Sequence, residues 1–230
     1  MNKNFPYSKY SFDNQDLLSG LTASEYNILT NNKEIRHFKA GTQIFKEGTE
    51  PKGLYRVLSG KVKKYTATSF GTEHIFYICG ENEYLGYHAI LSKEEYPDSA
   101  IALFDCEVEF IPKNDFLNVV STSHVLSQSL LKNLSHEFGV FLNATKILAR
   151  FSVRERTAIN LLILQRKFSV KEGLSEIEMN RDDLANMVGT AKESLVRMLK
   201  DFKEEKLIST KGRIIVIEDL EGLVKASNYK

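Results

Sequence analysis

The sequence predicts an α+β protein in three successive parts: an N-terminal double-stranded β-helix of the jelly-roll kind, a long helix, and a C-terminal winged helix-turn-helix. Three observations predict it. Short alternating runs punctuated by glycine fill residues 21–112, apolar residues recur at spacings of three and four between Lys113 and Ala149, and two short helices meet at Gly189 ahead of a hairpin signal. The expected boundaries are 1–115 for the β-roll, 116–149 for the long helix and 150–230 for the winged module. At 230 residues the chain is long enough for parts with cores of their own.

In the first part, Gly41, Gly48, Gly53, Gly60, Gly71, Gly80 and Gly86 separate segments such as Gln43-Ile44-Phe45, Leu54-Tyr55-Arg56-Val57-Leu58 and Glu73-His74-Ile75-Phe76-Tyr77-Ile78. Many short strands with turn signals at this spacing make a sandwich or barrel, and a jelly roll can hold a small molecule between its sheets. Cys79 and Cys106 fall in strand-like segments, where a buried free thiol is the expected state. Two cysteines make no disulfide framework.

In the second part, Leu131, Leu134, Phe138, Phe141, Thr145 and Leu148 form a seam suited to pairing two copies of the helix. A single helix packed on its own β domain would give the same pattern. Phe151-Ser152 marks a hinge, and Ser152-Val153-Arg154-Glu155 is a capping box starting a helix that carries Ala158, Ile159, Leu162 and Ile163 inward.

In the third part, Asn180 caps a helix whose positive first turn receives Asp182 and Asp183, and Leu184, Ala185, Met187 and Val188 face its core. Gly189 supplies a positive φ, and Thr190-Ala191-Lys192-Glu193 reads as a capping box opening the second helix. Leu195, Met198, Leu199 and Phe202 then face inward, leaving Lys192, Glu193, Val196, Arg197 and Lys200 outside. Such a set suits a DNA major groove: arginine forks onto guanine, glutamate accepts from cytosine, an apolar group meets a thymine methyl, and lysine neutralises phosphate. Glu193 has a second reading, as the capping carboxylate alone. Leu207-Ile208-Ser209-Thr210, a turn at Lys211-Gly212 and Arg213-Ile214-Ile215-Val216-Ile217 form the wing. Thr190 and Ala191 at the helix entry and Lys211 and Arg213 on the wing complete the candidate DNA-contacting set.

Net charge is only +1, which argues against a protein that coats nucleic acid indiscriminately. Its distribution is uneven: residues 192–213 hold 7 Lys and Arg against 4 Asp and Glu. No apolar run approaches the ~20 residues of a membrane span, and the start MNKNFPYSKYSF lacks a signal-peptide core, so a cytoplasmic location is expected. Catalytic motifs are missing as well. There is no Gly-x-Ser-x-Gly elbow and no phosphate-cradling glycine loop, so no enzymatic activity is expected. A cupin-like metalloenzyme would have only Glu73-His74 and His88 to work with, and no His-x-His run is present. A β-roll scaffold that binds protein only is a further alternative, which would require a third part without DNA affinity.

This order of parts resembles the CRP/FNR family of bacterial transcription regulators over nearly the whole chain. The resemblance lies in Gly48-x4-Gly53-Leu54-Tyr55-Arg56-Val57-Leu58-Ser59-Gly60-Lys61-Val62 and in the run Leu184 to Leu199, with its Glu193-x-x-x-Arg197 core. Ser152-Val153-Arg154-Glu155-Arg156 and Val188 to Ser194 look most like members from the Bacteroidetes. The resemblance implies a homodimer on a palindromic operator in double-stranded DNA, with RNA polymerase as a further partner. It also implies that Glu193 and Arg197 read bases, that Lys192 and Val196 adjust preference, and that the β-roll senses a small-molecule, redox or gas signal.

Family members that bind cyclic nucleotides carry Gly-Glu at the start of a phosphate cassette and Arg-Ser/Thr-Ala at its end. Here the stretch reads Gly86-Tyr87-His88-Ala89 and Pro97-Asp98-Ser99-Ala100, so Tyr87 and Asp98 replace the glutamate and the arginine. Opposite charges 4 Å apart at an effective dielectric of 20 attract by about 4 kcal/mol, and an aspartate turns that attraction into repulsion. Cyclic AMP is therefore not expected as the effector, and Tyr87, His88, Asp98 and Ser99 are the candidate lining of a different effector pocket. Two thiols cannot supply the four thiolates of an iron–sulfur cluster. Haem is possible, since His37, His74, His88, His124 and His136 each offer an axial ligand, His88 being the choice among them.

Overall fold

The computed structural model describes residues 5–68, 71–168 and 176–229. The strands of the first part form two antiparallel four-stranded sheets, ordered β1-β8-β3-β6 and β2-β7-β4-β5. These strands are β1 (Glu34–Phe38), β2 (Gln43–Phe45), β3 (Gly53–Ser59), β4 (Val62–Ala67), β5 (Glu73–Cys79), β6 (Tyr84–Leu85), β7 (Ser99–Ala102) and β8 (Cys106–Pro112). β3 and β8 are central and run buried, with Leu54 opposite Ile111 and Tyr55 opposite Phe110. Gly53 is required there: a Cβ would stand 2.2 Å from the Ile111 carbonyl oxygen. Both thiols are buried, and neither is in a disulfide.

One correction concerns the start of this region. Residues 23–30 are a helix, α1 (Ala23–Thr30), opened by a Thr22/Glu25 capping box. That signal stands in the sequence just after Leu21, where strands were expected to begin. α1 and α3 (Lys113–Thr122) lie on the roll, and Leu17, Leu29, Leu54, Ile111, Phe116 and Leu126 share one core. A short helix, α2 (Tyr87–Ser92), interrupts the strands after Gly86, whose φ is +89°.

A second correction concerns the long helix of residues 116–149. The stretch from Lys113 is two helices, α3 and α4 (His124–Arg150), broken at Ser123 with φ −96° and ψ 109°. Ser123 closes α3 through its amide to the Val119 carbonyl, and its hydroxyl accepts from the Leu126 amide in the first turn of α4. Phe116 and Val119 are buried in the β-roll core, so the start of the expected helix serves the roll.

The chain divides into two units, one being Phe12–Ala67 with Phe76–Phe138 and the other Met1–Ser11, Thr68–Ile75 and Gly139–Lys230. In the second, α5 (Val153–Phe168) is the central helix, and α6 (Arg181–Val188), α7 (Lys192–Glu204) and α8 (Leu220–Ala226) pack on it. The wing strands β10 (Ile208–Lys211) and β11 (Ile214–Ile217) are joined by β9 (Glu176–Glu178) into a sheet ordered β10-β11-β9. The expected capping box at α5 forms: the Ser152 amide donates to Glu155 Oε2 at 2.7 Å and the Glu155 amide to Ser152 Oγ at 3.3 Å. The early residues Phe5 and Tyr10 stack at 5.6 Å, and both meet Tyr229 edge-on. No helix among the described residues is long and apolar enough to cross a membrane.

Candidate functional site

The helix pair is built as a DNA-reading device would need. Asn180 Oδ1 accepts from the Asp183 amide at 2.7 Å, so the side chain caps α6. Gly189 ends α6 in the left-handed region at φ +70°. The expected capping box at Thr190 does not form. The N-cap of α7 is Ala191, which makes no side-chain cap, because the Thr190 amide bonds back to the Ala185 carbonyl and the helix starts one residue later. Glu193 is therefore not needed as a capping carboxylate, and it stands exposed in the first turn of α7.

Leu195, Leu199 and Phe202 are buried and Met198 is half-buried, while Lys192, Glu193, Val196, Arg197 and Lys200 share the exposed side. Val196 keeps 47% of its surface in solvent, leaving an apolar group among the charges of this face. Lys192 pairs with Asp182 at 2.8 Å, and Lys200 lies 3.7 Å from Glu204, one turn on. Both pairs are exposed and weak, so the lysines can exchange a carboxylate for a phosphate at little cost.

In the wing, Lys211 is opposite Ile214, so the turn is Gly212-Arg213 and not Lys211-Gly212. Lys211 closes β10, and Arg213 sits exposed at the tip. Sequence reasoning missed Arg181, whose Nη2 donates to the Gly212 carbonyl at 3.0 Å and whose Nη1 donates to the Arg213 carbonyl at 3.3 Å. Its position in the first turn of α6, where acidic residues are favoured, was the one available signal.

The candidate effector residues each engage neighbouring side chains or backbone. Tyr87 is buried in the β-roll core, where its hydroxyl donates to Glu137 of α4 and accepts from Asn14 Nδ2 at 3.1 Å. Burial, reinforced by Glu137, raises its pKa. Asp98 and His88 do meet, with His88 Nε2 3.1 Å from Asp98 Oδ1, and Lys64 Nζ stands 3.0 Å from Asp98 Oδ2. Burial acts to raise the Asp98 carboxyl, yet Lys64 and His88 outweigh it and hold it below its ordinary value. Ser99 Oγ accepts from the Glu47 amide at 3.0 Å. Lys64 and Asn14 were missed; Lys64 lies on β4 opposite Ala100, a pairing that only the sheet register reveals. Among the described residues no three His, Cys, Asp or Glu gather as a group that could hold a metal ion.

Of the proposed seam, Phe138 is 66% exposed, Leu131, Phe141, Thr145 and Leu148 are exposed too, and Leu142 extends the face. Leu134 departs from it by packing against the β-roll core.

Comparison with known proteins follows the same division. Residues 35–123 match the cyclic nucleotide-binding domain and residues 155–226 the Crp-like helix-turn-helix domain. The chain is 32% identical over 214 residues to the fumarate and nitrate reduction regulatory protein of Yersinia pestis, covering 89% of this chain and 82% of that one. For the protein of the same name from Escherichia coli (strain K12) the identity is 30% over 212 residues, with 88% and 81% covered. In fold it is similar to a putative transcriptional regulator of the crp/fnr family from Eubacterium rectale, with TM-score 0.76, 21% identity and 99% and 100% coverage. FixK2 from Bradyrhizobium japonicum gives TM-score 0.78 at 19% identity, covering 86% of this chain and 98% of that one. With both halves matched in order and the relatives aligned along most of its length, the chain belongs to the CRP/FNR family of transcriptional regulators.

Proposed function

We propose that the protein is a homodimer that binds a palindromic operator through α7 and the wing and regulates transcription with RNA polymerase in the cytoplasm. The observation that carries this reading is the exposed face Lys192, Glu193, Val196, Arg197 and Lys200, set between a buried stripe and a wing tip bearing Arg213. Thr190 and Ala191 enter the groove first, and Lys211 and Arg213 meet the backbone. The exposed face of α4 supplies the dimer contact. A two-fold axis places two recognition helices about 34 Å apart, matching successive major grooves. The β-roll senses a small molecule or a redox or gas signal. Asp98, bound to its own Lys64, disfavours a phosphate there, and haem ligated by His88 would first have to break the His88–Asp98 contact.

The test is binding to a selected palindrome and its single-base variants over a range of salt. Arg197→Ala is expected to cost about 1–3 kcal/mol per half-site and to relax preference at one base pair. Lys200→Ala weakens all sequences alike and lowers the salt slope by about one unit for each phosphate left without its lysine. Equal losses on every variant for Arg197→Ala would remove α7 from the major groove.

A further inference from the structure

Two helices end beside each other in the DNA-binding unit, and helix ends are where backbone carbonyls lack partners and the dipole is negative. α4 finishes at Arg150 and is followed by the link Phe151-Ser152; α6 finishes at Val188 and is followed by Gly189. Both ends converge on one side chain. Arg156, in the first turns of α5, donates from Nε to the Val188 carbonyl at 3.0 Å and from Nη2 to the Gly189 carbonyl at 3.0 Å. Its Nη1 donates to the Phe151 carbonyl at 3.1 Å and to the Leu148 carbonyl at 3.4 Å. All but one of the guanidinium N–H donors are thus engaged, half on the end of α4 and its link and half on the turn of the helix pair.

A second observation brings the same two places together. A Cβ on Gly189 would lie 2.9 Å from Leu148 Cδ2, so the turn rests directly on the last turns of α4. The arginine itself is held in place, because the Ser152/Glu155 box fixes the start of α5.

We propose that Arg156 is a positioning residue that fixes the recognition helix to the end of α4, and so sets the distance between the two recognition helices of a dimer. The inference rests on the DNA-binding, dimeric reading above. Only a planar fork reaches both ends at once; a lysine ammonium keeps the charge and loses the geometry. The residue touches no base, so its loss acts on half-site spacing and leaves base preference alone.

The experiment uses the full-length dimer with Arg156→Lys, Arg156→Ala and, as a control for lost charge, Lys225→Ala, an exposed residue of α8. Each is measured on the palindrome, on palindromes one base pair longer and shorter between half-sites, and on single-base variants. In the parent protein altered spacing should weaken binding strongly. In both Arg156 variants binding to the correct palindrome should fall about tenfold, within the range ordinary couplings between sites span, while the penalty for altered spacing shrinks and the single-base ratios hold. Lys225→Ala should keep the parent's spacing penalty. Hydrogen exchange at Thr190 and Ala191 should quicken in the Arg156 variants.

An unchanged spacing penalty in folded, dimeric Arg156→Lys overturns the proposal, as do single-base ratios that shift with it. Failure of every Arg156 variant to fold would make it a folding residue and would also overturn it. A parent protein that ignores palindromes altogether would instead refute the DNA-binding reading, so the two failures are told apart.

Discussion

A carboxylate only 3% exposed at position 98 is kept ionised by neighbours on two elements, Lys64 of β4 and His88 of α2. Burial works against the charge, and its partners win. Because its pKa is lowered in the folded protein, Asp98 contributes stability at pH above its ordinary value of 3.8, and that contribution is lost as pH falls through the depressed value. Asp98→Asn leaves the half-buried Lys64 beside a neutral amide, a loss of up to about 3 kcal/mol at neutral pH, the low end of what breaking a buried pair costs. The gap between native and variant should narrow as pH drops below 3.8, as measured by denaturant unfolding at a series of pH values. A gap that stays constant into acid would show that the pair is uncoupled. Position 98 was legible in the sequence as a charge out of place, but Lys64 was not: nothing in the one-dimensional order links residues 64 and 98 until β4 pairs with β7.

Among the elements, α4 teaches the most about what periodicity can and cannot say. Spacings of three and four admit either a helix packed on its own domain or a helix paired with a copy, and the helix has one face packed on the roll and another left in solvent. Leu126 and Leu130 are buried in the roll core, while Leu131, Phe138, Phe141 and Leu142 point to solvent. If this face pairs two copies as proposed, replacing Phe138 and Phe141 with Glu puts two carboxylates from each copy into one desolvated interface, and sedimentation should show the dimer falling to monomer. The same mass before and after would place the interface elsewhere. Capped and glycine-stopped elements such as α6 were readable from local chemistry, because Asn180 and Gly189 act within a few residues of where they stand. The break at Ser123 was not, since neither proline nor glycine marks it and the core packing of Phe116 and Val119 decides it. β9 and α8 were missed for a related reason. β9 has three residues and is held by its register with β11, as Ile177 opposite Ile215; α8 has seven and is held by packing on α5.

Over the whole molecule, a net charge of +1 leaves binding to anions dependent on where cations are placed and on what already neutralises them. In the β-roll, Lys64 faces Asp98. Titration calorimetry with cyclic AMP and cyclic GMP should therefore give no binding at physiological concentrations. Tight binding of either would require the Asp98 carboxylate to leave Lys64. The DNA-binding unit, for its part, is not one continuous run of chain: Met1–Ser11 and Thr68–Ile75 belong to it together with everything from Gly139 onward. Phe5 and Tyr10 pack on Tyr229, and the Asn143 side chain holds the Lys9 carbonyl at 2.9 Å. A ribosome adds about 5–20 residues each second, so these partners wait on the order of ten seconds or more between delivery of Phe5 and delivery of Tyr229. The β-roll core, complete by Leu130, can close well before that. A chain interrupted during synthesis before the helix pair would thus leave the ribosome with its β-roll packed and its DNA-binding unit unfinished, without the recognition helix that a competitor for the regulator's DNA would need.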